Sequence, residues 1–196
     1  MVTFLQRTFT SLVHAHAGRT QSVAPDKPVN AALAAKEVME LRFSSWYHWK
    51  SRNDYPGIAF PGIYVVLISE ANVAGQPFSI NDDVIYVGMT NAVAGLRGRL
   101  SQFDNTIAQR HCQHGGADRV LYKHQDYASL VSKLYVALWH VECTPAAETP
   151  MDLRAMGKIC NAEYKVMAQC VEELGELPEF NRKKERPKFS LTRGRR

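Results

Sequence analysis

Several absences narrow the field first. There are only four cysteines, Cys112, Cys143, Cys160 and Cys170, with neither a CxxC pair nor dense spacing. This excludes a disulfide scaffold and points to a reducing compartment. No apolar run reaches the ~18 residues that a membrane helix needs, and Met1 to Arg19 holds no compact hydrophobic segment of the signal-peptide kind. A soluble, cytoplasmic protein with no membrane partner is therefore expected. The same opening stretch has no acidic residue, carries Arg7 and Arg19 and is rich in Thr, Ser and His. It weakly resembles a transit peptide, but such composition more often belongs to a disordered leader, the reading adopted for residues 1–29.

Internal repeats and Gly/Ser- or Pro-rich linkers are also lacking, so nothing divides the 196 residues into two cores. With 45 % hydrophobic and 22 % charged residues, one ordinary globular domain with extra material at its ends is expected. The cluster His111, Cys112 and His114, with His140 or Cys143, offers zinc-ligating atoms. Structural zinc is usually held by two separate knuckles of paired ligands, which this chain does not have.

The charge is unevenly spread. Residues 182–196 hold eight Lys or Arg against the single Glu185, a local charge of +7 within a total of +5, which leaves −2 for the rest. A cationic tail of this kind can follow a phosphate backbone, although many only solubilise.

Among what is present, Asn30 is a good N-cap for the run AALAAKEVMEL, whose composition and apolar spacing predict an amphipathic helix. Residues 30–60 are read as a helical extension. Phe43, Trp46, Tyr47 and Trp49 follow, interleaved with Arg42, Lys50 and Arg52. They could stack on exposed bases, but packing against the sheet is the commoner fate of large aromatics.

The run PGIYVVLIS, a turn-rich connection and then VIYVG predict an antiparallel hairpin. Alternation puts Tyr64 on a face with Gly62 and Val66, and Tyr86 on a face with Val84 and Gly88, so a suitable register sets the phenols side by side. Both faces are otherwise apolar and need covering. Thr90 or Asn91 is a candidate cap for a helix in which Val93, Leu96, Leu100 and Phe103 form a stripe, with Arg99 beside it and Arg97 pointing elsewhere. A short helix around Tyr127 to Val131 and the strand KLYVALWHVE complete a three-stranded, mixed or antiparallel sheet. The fold class is thus α/β (α+β), a small sheet flanked by helices.

The last helix has the plainest limits: Thr149 as N-cap, Pro150 in the first turn, Asp152 behind it and Gly175 past the end. Its apolar stripe is read as Met156, Ile159, Cys160, Met167, Cys170, Val171 and Leu174, with Glu163 where the stripe calls for an apolar residue. A carboxylate on such a face is costly unless it is ion-paired, hydrogen-bonded or metal-bound. On that ground alone an ion pair is favoured over a metal site.

Read together, Gly62-Ile63-Tyr64 and Tyr86-Val87-Gly88 resemble the two signature tripeptides of the GIY-YIG nucleases, and both fall on the hairpin strands. Met89-Thr90-Asn91 and LRGRLSQF resemble the helix after the second signature, which maps Arg99 onto that family's arginine. Glu163 falls where the family places its metal-binding glutamate, and Pro178, Phe180 and Asn181 resemble the closing signature. The resemblance spans residues 61–181 and extends to UvrC-type repair members and restriction endonucleases. Phe103 stands where many members carry His, and Met89 where repair-type members usually have Lys.

The resemblance implies a metal-dependent DNA endonuclease with catalytic residues Tyr64, Tyr86, Arg99, Glu163 and Asn181. Glu163 would hold one Mg²⁺ or Mn²⁺ per site, since one carboxylate suggests one metal, and no small-molecule cofactor is implied. Tyr64 would be the general base, through a lowered pKa or by relaying a proton, and Tyr86 would orient the water or the phosphate. Arg99 would neutralise phosphoryl charge. Arg97, Arg182, Lys183 and Lys184 are candidate contacts to the DNA backbone, and residues 182–196 form the basic tail. A homodimer is expected if both strands of a palindrome are cut. The alternative is a catalytically silent nucleic-acid-binding protein, with the tail and Trp46/Trp49 supplying affinity.

Overall fold

The β-branched and aromatic runs fold as strands. A computed structural model describes residues 41–110 and 114–182. The elements are β1 (Tyr47–His48), β2 (Gly62–Ile68), β3 (Val84–Thr90), α1 (Gly95–Ile107), α2 (Gly115–Lys123), α3 (Tyr127–Ser132), β4 (Leu134–His140) and α4 (Pro150–Leu174), with short 3-10 helices at Trp49–Asp54, Pro145–Ala147 and Glu179–Asn181. The leader, the helix predicted from Asn30 and the tail from Lys183 onward lie outside the described residues. Within them, no helix is long and apolar enough to cross a membrane.

The sheet has four strands rather than three, in the order β1-β4-β2-β3, and every pairing is antiparallel. The extra strand is Tyr47–His48, paired with Val136 and Tyr135. Two residues are too few to show a period of two, so the sequence pattern of residues 41–60, within the expected helical extension 30–60, does not reveal this strand. Instead these residues supply a sheet edge and a 3-10 helix. Trp46 and Trp49 are buried there, one in each apolar core, so they offer no open face for stacking on bases.

The sheet is covered on both sides. Tyr64, Val66, Val136 and Leu138 face the core built with Leu96, Leu100, Phe103, Val120 and Leu130 of α1 to α3. Ile63, Val65, Val87 and Ala137 face Ile159, Ala162, Val166 and Cys170 of α4. Residues alternate across β2 as expected, but β3 departs from simple alternation. Val66 pairs with Tyr86 and Leu67 with Val84, so Ile85 is the additional residue of a β-bulge. Val84 therefore belongs to the α4 side and does not share a face with Tyr86.

Backbone caps α1, not Thr90 or Asn91. Gly95 adopts φ +59° and lies against Ala59, whose carbonyl oxygen would be 2.2 Å from an added Cβ. The N–H groups of Leu96 and Arg97 then donate to Phe60 O and Ile58 O, at 2.9 and 2.8 Å, which satisfies donors that a helix start leaves open. Deeper in α1, Asp104 accepts from Trp49 Nε1 at 2.7 Å, Tyr127 Oη at 3.0 Å and Arg110 at 2.6 Å, and pairs with Arg52 at 3.4 Å. One carboxylate thus ties the 3-10 helix, α1 and α3 together.

On α4, Thr149 Oγ1 accepts from Asp152 N–H, and Gly175 closes the helix at φ +80°. The buried stripe is Ile159, Ala162, Val166 and Cys170, while Cys160 and Val171 are exposed. The stripe is rotated from the predicted one, because two apolar series at helical spacing lie close together on this helix. Glu163 flanks the buried series as a half-buried residue.

Candidate active site

Two glycines make room for two phenols. Tyr64 pairs with Gly88 across the hairpin and Tyr86 with Val66, so the tyrosines are diagonal neighbours on one face, with ring centroids 6.0 Å apart. A Cβ on Gly88 would lie 2.5 Å from Tyr64 Oη and 2.7 Å from Tyr86 Cε1, and one on Gly116 would lie 2.4 Å from Tyr86 Cε2. Tyr86 is thus held between its own strand and the N-terminus of α2. Tyr64 has no exposed surface, whereas Tyr86 is partly exposed.

His114, buried at the start of α2, fixes the polarity of the cluster. Its Nδ1 accepts from the backbone N–H groups of Gly116 and Ala117 at 3.2 and 3.1 Å. An accepting Nδ1 carries no proton, so the neutral ring bears its hydrogen on Nε2 and donates it to Tyr64 Oη, 2.6 Å away. Burial, reinforced by Arg99 and Arg119, pushes His114 down to about 3. His114 is therefore a neutral donor to Tyr64, with both ring nitrogens engaged. His140, another imidazole of the sequence cluster, is hydrogen-bonded to Tyr55 at 2.7 Å. His111 and Cys112 lie outside the described residues.

Burial raises Tyr64 well above the ordinary phenol value, and the neighbouring Tyr86 adds to this, while Arg99 opposes it by charge and by a hydrogen bond. Burial also raises Tyr86, and the charge of Glu163 pushes the same way against Arg99 and Arg119. The two hydroxyls also act on each other, raising Tyr64 and lowering Tyr86. The lowered-pKa route expected for Tyr64 is therefore not the one this environment favours: burial keeps its phenol protonated.

Two cavities meet at Tyr86 and Asn181. One, of about 300 Å³, is lined by Arg99, Gly115, Gly116, Arg119 and Phe180 as well. The other, of about 520 Å³, adds Glu163, Tyr164, Met167, Ala168, Val171 and Leu177. The first is cationic: Arg119 is 4 % exposed and donates to Phe180 O at 3.1 Å, and Arg99 donates to Gln102 Oε1 at 3.0 Å. Each guanidinium keeps a buried Nε–H with no acceptor among the described residues. Asn181 is a positioning residue, since its Oδ1 accepts from Val87 N–H and its Nδ2 donates to Val87 O, both at 2.8 Å. This clamps the 3-10 helix Glu179–Asn181 to the strand that carries Tyr86.

No family model, curated protein or solved structure matches the chain.

Of the residues singled out from sequence, Tyr64, Tyr86, Arg99, Glu163 and Asn181 come from five separate segments and are brought into one neighbourhood. Arg97 is exposed and lines neither cavity. Arg182 is ion-paired with Glu176, and Lys183 and Lys184 lie outside the described residues. Two members of the cluster, His114 and Arg119, were not anticipated. Gly115 and Gly116 after His114 were the available hint of a close approach, here by Tyr86; Arg119 left no signal, since one arginine on a nine-residue helix has the look of a solvated flank.

Proposed function

We propose that this chain is a metal-dependent endonuclease of GIY-YIG type that hydrolyses DNA phosphodiester bonds. The observation that carries the reading is the convergence of two neighbouring phenols, two guanidinium groups and a carboxylate around paired cavities. The hairpin bearing both tyrosines, α1 bearing Arg99 and α4 bearing Glu163 support a GIY-YIG-like reading of the fold.

The donor set fits a hard cation. Among the described residues there is no group of three His, Cys, Asp or Glu, but a half-buried carboxylate opens on a cavity beside Tyr86. Glu163 would hold one Mg²⁺ or Mn²⁺, leaving the other positions to water and phosphate oxygens. When bound, such an ion supplies Lewis-acid polarisation of the phosphoryl oxygen.

The remaining roles fall to protein groups. Arg99 and Arg119, which line the cationic cavity, hold the non-bridging oxygens with a planar fork that matches phosphate. Tyr86, the phenol that reaches both cavities, receives a proton from the attacking water as it passes its own to a phosphate oxygen. The water oxygen bonds to phosphorus as the bond to the leaving oxygen breaks; that oxygen keeps the electron pair and takes up the proton handed to the phosphate. Tyr64 stands behind, accepting from His114 and donating to Tyr86, so that Tyr86 is oriented with its own O–H free for the cleft. The pair is thus a relay rather than a phenolate base.

Plasmid nicking with Mg²⁺ tests the reading. Wild type should convert supercoiled to open-circular DNA, and Glu163→Ala should lower the rate by about 10²–10³-fold. Tyr64→Phe should lower it less, because Tyr86 stays in place. Cleavage unchanged in Glu163→Ala would remove the proposed site, and salt-sensitive binding without cleavage would favour a silent binding protein.

A further inference from the structure

An apolar opening lies beside the polar cluster. Of the large hydrophobic residues left exposed, Tyr164 at 69 % and Val171 at 41 % both line the 520 Å³ cavity, a volume within the ~300–1,000 Å³ range of small-ligand pockets. Met167, Ala168 and Leu177 complete its apolar wall, and Glu163 stands with Tyr86 and Asn181 on its polar side, toward the cationic cavity. This cavity shares Tyr86 and Asn181 with the cationic one that holds Arg99 and Arg119. Anion-binding and apolar compartments joined at a common wall match the two halves of a nucleotide, a charged phosphate and a flat base.

Resting on the nuclease reading above, we infer that the 520 Å³ cavity receives the base of the nucleotide next to the cleaved phosphate, with Tyr164 as its stacking partner, and that the substrate is DNA with an unpaired nucleotide at the cut. Charge complementarity places the phosphate with Arg99 and Arg119, and chain connectivity then carries the adjoining base to the apolar side. In an intact duplex both faces of a base are covered by its neighbours, so a base reaches Tyr164 only after leaving the stack. That step is least costly where pairing is already absent. Sequence tolerance follows, because every base has a π face.

The test compares three oligonucleotide duplexes: one fully paired, one with a single unpaired thymidine, and one with an abasic spacer in its place. With Mg²⁺ the full chain should cut beside the thymidine at least about tenfold faster than in the paired duplex. Tyr164→Ala should lose about tenfold at the thymidine and nothing at the abasic spacer, and Tyr164→Phe should retain the wild-type rate. Equal cutting of paired and unpaired DNA, or the same loss by Tyr164→Ala on all three substrates, overturns the inference while leaving the nuclease reading intact. Wild type that cuts none of these and no plasmid removes both.

Discussion

The imidazole of His114 gives the cluster a measurable acid sensitivity. Its pKa is pushed from 6.5 down to about 3 in the folded chain, chiefly by burial, and returns to about 6.5 on unfolding. As pH falls through 6.5 the unfolded chain takes up a proton that the folded chain refuses until near 3. Stability is therefore fully present above about 6.5 and declines below it by up to about 1.4 kcal/mol per pH unit. Between pH 7 and pH 5 the loss is about 2 kcal/mol, in a window above the range where most carboxylates titrate. His124, half-buried and also lowered by burial and by Lys123, contributes with the same sign, so the comparison needs a variant. Urea unfolding at pH 7 and pH 5 should show the slope in wild type and its reduction by about 2 kcal/mol in His114→Gln. The His114 ring signal in ¹H–¹³C NMR should stay neutral from pH 7 to pH 5. An imidazole that titrates near 6.5 in the folded protein, or equal slopes in the two proteins, would refute the neutral-donor assignment and with it the hydrogen-bond direction at Tyr64.

Other perturbations follow from the same contacts. Asp104→Asn should cost about 3 kcal/mol in urea unfolding, because Arg52, with 14 % of its side chain exposed, would be left charged and unpaired. Gly88→Ala and Gly116→Ala insert a Cβ within 2.5 Å of Tyr64 Oη and of Tyr86 Cε2, respectively. Each should slow cleavage by about 10²-fold through misplacement of the phenols. Gly157→Ala is the control: nothing lies within 4 Å of its Cβ, so activity should be kept and α4 stabilised by up to about 1 kcal/mol. Asn181→Ala removes both bonds to Val87, and hydrogen exchange at the Val87 amide should speed up by about tenfold, consistent with the loss of ~1–2 kcal/mol.

What was legible in the sequence depended on how many residues repeat a signal. The β2–β3 hairpin carries dense β-branched and aromatic runs, and α4 has a cap at each end; both stand where they were read. The strand Tyr47–His48 has no internal period, and the bulge at Ile85 hides among apolar residues because Val84 and Ile85 suit either face equally. The α4 stripe was misjudged by one helical position, since Cys160 and Val171 continue an apolar series that the fold leaves exposed. Glu163 was legible as a carboxylate on or beside a buried face, but its opening onto a cavity shared with Tyr86 and Asn181 depends on how α4 is rotated against the sheet.

His114 shows why part of the site was hidden. The resemblance to the GIY-YIG nucleases puts Phe103 where many members carry His; an imidazole stands 5.0 Å from that ring and reaches Tyr64 from the start of α2. Only the fold brings residue 114 to residue 64, and no spacing in the sequence encodes that approach. The location has a chemical consequence. Because His114 caps α2 with its own Nδ1, backbone amides fix its tautomer, its proton must lie on Nε2, and Tyr64 Oη accepts it. In the proposed relay, the Tyr64 O–H is then left to donate toward Tyr86, and that direction is set by the first turn of a nine-residue helix. For that reason a change confined to α2, such as His114→Gln, should alter Tyr86 although their side chains share no hydrogen bond.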